Sequence, residues 1–191
     1  MLLRTAQTAF KSILRKDAFR SSWTPAEVCR DSFVALNKRV LDHLSAAELD
    51  RTGVQVFPGG DRDATHSADV DYAGLLPALF RMRVKRFYLQ LASEKDPERV
   101  LRIVREHLPP DPAVKVFVGV IDPINPVVET PVQVCNRILL AAEYSPLSQL
   151  GTTDDCGFSP FADDVSTSRD VAFAKIRARV EGTRLAAETL G

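Results

Sequence analysis

The chain has 191 residues, of which 45% are hydrophobic, so it is long and apolar enough to form one domain with a substantial core. Its 25 basic and 25 acidic residues cancel, which argues against a nucleic-acid-binding protein, since such a protein needs a basic face to displace counterions. No apolar run is long enough for a membrane span, and three scattered cysteines do not suggest a disulfide framework, so we predict a cytoplasmic protein without membrane or nucleic-acid partners.

Residues 1–23 form a basic amphipathic N-terminal segment. Five basic residues stand against the single acidic Asp17 in the first twenty positions, and the apolar residues recur with helical spacing. This composition is typical of mitochondrial transit peptides and also of an ordinary first helix, and both interpretations stay open. We assign residues 24–191 to the folded domain.

From residue 24 onward, two helices precede an alternation of strands and helices. Thr24-Pro-Ala-Glu27 is a capping box that predicts a helix to about Leu44, and Ser45-Ala-Ala-Glu48 is a second capping box. Apolar patterning then predicts strands over 53–57, 86–91, 115–121 and 150–153, followed in turn by helices over 69–80, 96–107, 130–144 and 168–189.

This alternation predicts an α/β fold of parallel (β/α) units forming half of an eight-stranded TIM-type barrel, preceded by an N-terminal helical segment. Four such units leave two unpaired sheet edges, and exposed edges promote pairing with another chain. We therefore expect a homodimer or a complex with a complementary barrel half, and not a monomer.

Reactive side-chain types are concentrated in the segment 150–160, Leu-Gly-Thr-Thr-Asp-Asp-Cys-Gly-Phe-Ser-Pro, at the end of the last predicted strand. Barrel enzymes carry their catalytic groups at such strand ends. Cys156 is interpreted as a metal thiolate or reactive thiol, or alternatively as a small buried side chain. His66, in the polar loop after the first strand, is either a ligand or a residue that caps the next helix.

Three segments resemble the cobalamin-independent methionine synthase family. They are Gly53-Val-Gln-Val-Phe-Pro-Gly-Gly-Asp61, Gly119-Val-Ile-Asp122 and Thr152-Thr-Asp-Asp-Cys-Gly-Phe158, and the helix segment Ala172-Phe-Ala-Lys175 also matches. The resemblance covers roughly residues 30 to 191. It implies that the chain corresponds to the C-terminal half of that family's catalytic barrel.

The resemblance implies a zinc-dependent methyltransferase, which moves a methyl group from a methylated folate to a thiol such as homocysteine. Zinc coordination converts the substrate thiol to a nucleophilic thiolate. The family's Cys ligand matches Cys156, but its His and Cys pair falls on Gln55 and Phe57, and its Glu falls on or near Gln90. The catalytic His expected after the third strand falls on residue 124 or 125.

We therefore predict Cys156 as a zinc ligand, with Glu94 and His66 as substitute ligands. Asp122 and Asp155 are the predicted catalytic residues, and Asp61 lines the pocket. The partners implied are a small-molecule thiol and a methyl donor.

Two alternatives accompany the methyltransferase hypothesis. One is a non-catalytic remnant or subunit that needs a partner half-barrel, because most of the family's ligand positions carry non-ligands. The other is a metal-independent alkyltransferase or lyase that uses Asp122, Asp154 or Asp155 as acid and base, since adjacent carboxylates can differ in pKa when they are desolvated.

Overall fold

The structure is a computed structural model, which describes residues 25–56, 72–158 and 167–191. Its helices are α1 (Pro25–Leu41), α2 (Ala46–Leu49), α3 (Tyr72–Leu79), α4 (Pro97–His107), α5 (Pro131–Ala142) and α6 (Arg169–Leu190). Its strands are β1 (Gly53–Val56), β2 (Arg86–Leu89), β3 (Lys115–Ile121) and β4 (Leu150–Asp154), the last preceded by a 3₁₀ turn at Leu147–Gln149. None of the helices in these ranges combines the length and apolar character that a membrane span requires.

The four strands form one parallel sheet in the order β1-β2-β3-β4. Each strand is separated from the next by a helix, so the predicted α/β class with parallel strand-helix units is confirmed. Parallel strands all end at the same side of a sheet. We call this side the C-terminal edge; it consists of the ends of the four strands and of the described residues that follow Leu89, Ile121 and Asp154.

Local capping signals in the sequence are realised in the structure. The Ser45 hydroxyl and the Glu48 carboxylate form a reciprocal capping box at the start of α2. Thr130 and Gln133 form an equivalent box at α5. Each box satisfies backbone N–H groups that the first helical turn leaves without partners.

Several elements end earlier than the patterning predicts, and helix α1 and strand β2 show why. Helix α1 ends at Leu41 and not near Leu44, because Ser45 adopts an extended conformation to cap α2 and the intervening residues form a turn. Strand β2 ends at Leu89 and not at Leu91, because the N–H groups of residues 91–93 donate to the Asp155 carboxylate instead of to a neighbouring strand. The segment 1–23, Thr24 and the loop containing Asp61 and His66 lie outside the described residues.

The core lies between the sheet and its helices. Successive strand residues point to opposite faces, so Phe87, Leu89, Val116 and Val118 share the helix-covered face, and each is at most 1% exposed. Helix α4 packs into the same cluster through the fully buried Leu101. Each such buried side chain contributes about 1.5–3 kcal/mol of transfer free energy.

The opposite face carries a stacked aromatic pair. The rings of Tyr88 and Phe117, which are register partners on β2 and β3, lie 4.7 Å apart at an interplanar angle of 12°. Glycines flank them on the outer strands: a Cβ on Gly53 would lie 2.7 Å from Tyr88 Cε2, and one on Gly151 would overlap the Phe117 ring. The two glycines therefore make room for the rings on this face.

The sheet is strongly curved, as a barrel segment requires. Gln55 lies on β1, yet its Nε2 donates to the carbonyl oxygen of Asp155 beyond β4, at 3.3 Å. In a flat sheet, three strand spacings would separate the outer strands by about 14 Å. The bond therefore requires β1 and β4 to approach each other across the concave face.

Candidate functional site

The site is centred on Asp155, the first residue after β4. Its side chain is only 3% exposed and accepts four hydrogen bonds from the loop that follows β2. Oδ1 accepts from the backbone N–H groups of Leu91 (2.9 Å) and Ala92 (3.0 Å). Oδ2 accepts from the backbone N–H of Ser93 and from its hydroxyl, both at 2.9 Å. A carboxylate offers about four acceptor positions, so these donors use its whole capacity.

Gly119 gives the Asp155 carboxylate its space. A Cβ on Gly119 would overlap Asp155 Oδ1 and would lie 2.9 Å from its Cγ. The ladder between β3 and β4 also shifts register between Gly119 and Ile121. The shift and the missing side chain together allow the carboxylate to reach across β3 to the loop after β2.

Two glutamines extend the interactions of Asp155. Gln55 on β1 donates to the Asp155 carbonyl oxygen. Gln90 donates through Nε2 to Ser93 Oγ at 2.6 Å, and the Ser93 hydroxyl in turn donates to Asp155. We call Gln55, Gln90, Ser93, Asp155 and the N–H groups of residues 91–93 the Asp155 network. It joins the C-terminal ends of β1, β2 and β4.

Both acidic residues at the end of β4 have shifted pKa values. Burial raises the pKa of the Asp155 carboxyl above its usual value, and the hydrogen bonds from Leu91, Ala92 and Ser93 partly offset that rise. Burial likewise raises the pKa of the Asp154 carboxyl, and the charge of Arg179 opposes it. Asp154 Oδ1 and Arg179 Nε lie 3.3 Å apart as an ion pair, although neither atom has a hydrogen-bond partner among the described residues.

Asp122, the other predicted catalytic residue, lies at the end of β3 and organises its own loop. Its carboxylate accepts from the backbone N–H of Ile124 at 3.0 Å and, more weakly, from that of Asn125 at 3.4 Å. Its backbone N–H donates to Glu129 Oε1, and its carbonyl oxygen accepts from Lys175 Nζ. The structure thus gives Asp122 a loop-forming role; it directly follows Ile121, whose carbonyl oxygen accepts a hydrogen bond from the Asp155 N–H.

A buried ion pair that the sequence did not single out fixes the same loop to α6. Lys175 is fully buried, and its Nζ lies 2.7 Å from Glu129 Oε2 and donates also to the carbonyl oxygens of Asp122 and Val127. Lys175 stands in the matched helix segment, but its partner lies 46 residues away. In the sequence, this ion pair is indicated by a lysine among apolar helix positions, but residue spacing does not identify the partner of that lysine.

The predicted zinc ligands are not brought together within the described part of the chain. Cys156 is half-buried just after Asp155, and Glu94 lies in the loop after β2. Across residues 25–56, 72–158 and 167–191, no group of three His, Cys, Asp or Glu side chains could hold a metal ion. Gln55 and Gln90, at or near the family's ligand positions, use their amide nitrogens as hydrogen-bond donors. The described donors therefore do not fit a zinc centre, and His66 lies outside them.

The parallel sheet and the polar C-terminal edge define this chain as an α/β protein of the partial TIM-barrel type. No protein-family model matches the chain. Over 132 residues it is 29% identical to a 2-hydroxypropyl-CoM lyase from Xanthobacter autotrophicus (strain ATCC BAA-1158 / Py2), which covers 69% of this chain and 33% of the lyase.

Among solved structures, the chain is similar to a B12-independent methionine synthase from Shewanella sp. W3-18-1 in complex with selenomethionine. The TM-score is 0.63 at 20% identity, and the match covers 86% of this chain and 46% of that one. This likeness shows the fold. The chain spans about a third of the lyase and less than half of the synthase chain.

Proposed function

We propose that the chain is a methionine-synthase-like methyltransferase domain that acts on a small thiol such as homocysteine, with a methylated folate as donor. The observation that carries the proposal is the convergence of β1, β2 and β4 on Asp155 and the adjacent Cys156 at the C-terminal edge. Barrel enzymes place their substrates at this edge. The methionine synthase and 2-hydroxypropyl-CoM lyase likenesses support the same superfamily of folds.

In this proposal, the chain's residues bind and orient the substrates. The half-buried Cys156, Gln55 on β1 and the described polar groups that follow β2 and β4 form the surface that a thiol substrate meets. Asp155 holds these strand ends, because its four acceptor positions are already used and leave no capacity for a substrate proton. Since the described donors do not fit zinc, no step of the proposal runs through a metal-bound thiolate.

The proposal is tested by methyl transfer in solution. The purified full chain is incubated with homocysteine and a methylated tetrahydrofolate, with and without added zinc, and methionine is measured by mass spectrometry. Methionine formation that is lost in Cys156→Ser and retained in Cys135→Ser supports the proposal. Cys135 is the matched control because it is a buried side chain of α5 and not part of a strand end. No product under any condition, from protein that melts cooperatively, contradicts it.

A second candidate function is that of a non-catalytic half-barrel that needs a partner. It is favoured by the sheet order, in which β1 and β4 each have a strand neighbour on one side only among the described residues. Helix α6 also presents exposed apolar side chains, with Phe173 at 54% and Val180 at 63%. Unpaired parallel edges recruit further strands. Sedimentation distinguishes the candidates: a homodimer or a co-purifying barrel half supports this one, and a monomer with methyl-transfer activity contradicts it.

A further inference from the structure

We infer that Asp155 is a positioning residue whose network holds the strand ends around Cys156 without a metal ion, so that the placement of the Cys156 thiol is metal-independent. The inference rests on the proposed function for its site. The hydrogen bonds around Asp155 support it, and the alkylation rate of the Cys156 thiol, not methyl transfer, tests it.

Asp155 has contacts with the other three strands through its side chain and its backbone. Its carboxylate binds the loop after β2 through four hydrogen bonds, and its carbonyl oxygen binds Gln55 on β1. Its backbone N–H also donates to the carbonyl oxygen of Ile121 at the end of β3, at 2.9 Å. One residue therefore contacts the ends of all three other strands. Cys156 is covalently the next residue, so its position follows from these contacts.

Gln55 and Gln90 act as hydrogen-bond donors. A side chain that serves as a metal ligand directs a lone pair toward the ion, whereas these amides direct their N–H groups toward Asp155 and Ser93. Glutamine amides are not among the nitrogen, sulfur and carboxylate groups that bind zinc strongly. Where the resemblance implies metal coordination, this chain has a hydrogen-bonded connection between the same strand ends.

The Asp155 carboxylate holds the loop after β2 firmly. Hydrogen bonds to an ionised carboxylate are stronger than neutral ones, and a buried network gains further because its surroundings are poorly polarisable. The overlap that any Cβ at Gly119 would make shows that the site accommodates the Asp155 carboxylate closely. Opening the loop after β2 would leave a buried carboxylate with unsatisfied acceptors, which is costly.

The experiment measures the alkylation rate of individual cysteines in the full chain. The protein is treated with iodoacetamide, and modification of Cys156 and Cys135 is followed by peptide mass spectrometry. In the unsubstituted chain, we expect the Cys156 rate to be the same in EDTA and in one equivalent of zinc. Protection of Cys156 by zinc overturns the inference, because it would mean that a metal holds the thiol.

The variants test the network directly. Asp155→Asn keeps the shape of the side chain but places an amide NH2 group against the backbone N–H donors, which weakens the network. We expect the alkylation rate of Cys156 to rise about tenfold or more relative to that of Cys135. Ser93→Ala removes one donor and raises the rate less, and Ser93→Thr, which keeps a hydroxyl at this exposed position, restores it. Asp42→Asn, in an exposed ion pair with Arg83, leaves both rates unchanged.

Two further outcomes overturn the inference. One is an unchanged Cys156 rate in Asp155→Asn. The other is a parallel rise at the buried Cys135, which would indicate global unfolding and not local release. If Asp155→Asn does not fold, the comparison of Ser93→Ala with Ser93→Thr decides alone: equal Cys156 rates in the two contradict the inference. The absence of methyl transfer would contradict the proposed function without affecting this result.

Discussion

The Asp155 carboxylate occupies the space where a side chain at position 119 would begin. A Cβ on Gly119 would overlap Oδ1 of Asp155 and would also lie 3.1 Å from the Leu89 carbonyl oxygen. Residue 119 must therefore be glycine for steric reasons. Its backbone conformation does not require glycine, because the positive φ recorded among the described residues is that of Gly191.

Gly119→Ala is expected to destabilise the fold and displace the Asp155 network. We expect a loss of about 1–3 kcal/mol in the free energy of unfolding, the usual cost of overpacking a close-packed site. The matched control is Gly157→Ala, because a Cβ there would meet nothing within 4 Å. Urea unfolding of both variants measures the difference, and equal midpoints would contradict the placement of Asp155.

Lys175→Met is expected to be strongly destabilising. Removing Lys175 leaves the buried Glu129 carboxylate with Arg137 as its remaining cationic partner, at the longer distance of 3.7 Å, and the loss of one partner of a buried pair costs up to about 3–5 kcal/mol. The double variant Lys175→Met with Glu129→Gln should recover part of this loss, which a double-mutant cycle measures as a coupling energy. Lys85→Met, in a solvent-exposed pair with Asp111, serves as the control and should lower the free energy of unfolding far less, because exposed ion pairs contribute little to stability. Additive effects of the two buried substitutions would argue against a direct Lys175–Glu129 pair.

Gly182→Ala is expected to lower the stability of the protein, whereas replacing glycine by alanine inside a helix usually raises it. Alanine in a helix interior normally gains about 0.8–1 kcal/mol over glycine. A Cβ on Gly182, however, would lie 2.5 Å from Val134 Cβ and 2.6 Å from the Pro131 carbonyl oxygen, where α6 crosses α5. We expect a net loss of about 1–3 kcal/mol by thermal or urea unfolding. Ala187→Gly, at an exposed position of the same helix, is the control and should show the ordinary loss of stability on replacing alanine by glycine. A stabilised Gly182→Ala would refute the close crossing of the two helices.

Removing Lys85 is expected to raise the pKa of Asp111. The Lys85 hydrogen bond is the largest cause of the lowered pKa of the Asp111 carboxyl, and the Ala113 N–H adds to it. Because the folded-state pKa is lowered, the pair's contribution to stability is present above the ordinary carboxyl pKa and is lost as the pH falls through the folded value. A carboxyl NMR titration of Lys85→Met should show an upward shift at Asp111. Lys38→Met is the surface control, and equal titration curves in the two variants would rule out the pair in solution.

Much of the fold was predictable because its determinants are local. The capping boxes at Ser45 and Thr130 operate over three residues, so their spacing alone locates the helix starts. The strand β3 is a run of apolar residues bounded by turn formers, and it occurs over Lys115–Ile121 as its pattern predicts. The resemblance also placed Asp155 and Cys156 at a strand end, where the structure has them.

The sequence by itself determined the order of strands and helices and the types of side chain at the C-terminal edge, because these depend on contacts within a few residues. Only the tertiary structure decided what Asp155 binds. Its donors at 91–93 lie more than 60 residues away, and Gln55 lies 100 residues away. Such contacts depend on the register of β2 against β3, the shift at Gly119 and the curvature of the sheet. None of these is encoded in local spacing, which is why patterning extended β2 to Leu91 and left the Lys175–Glu129 pair unassigned.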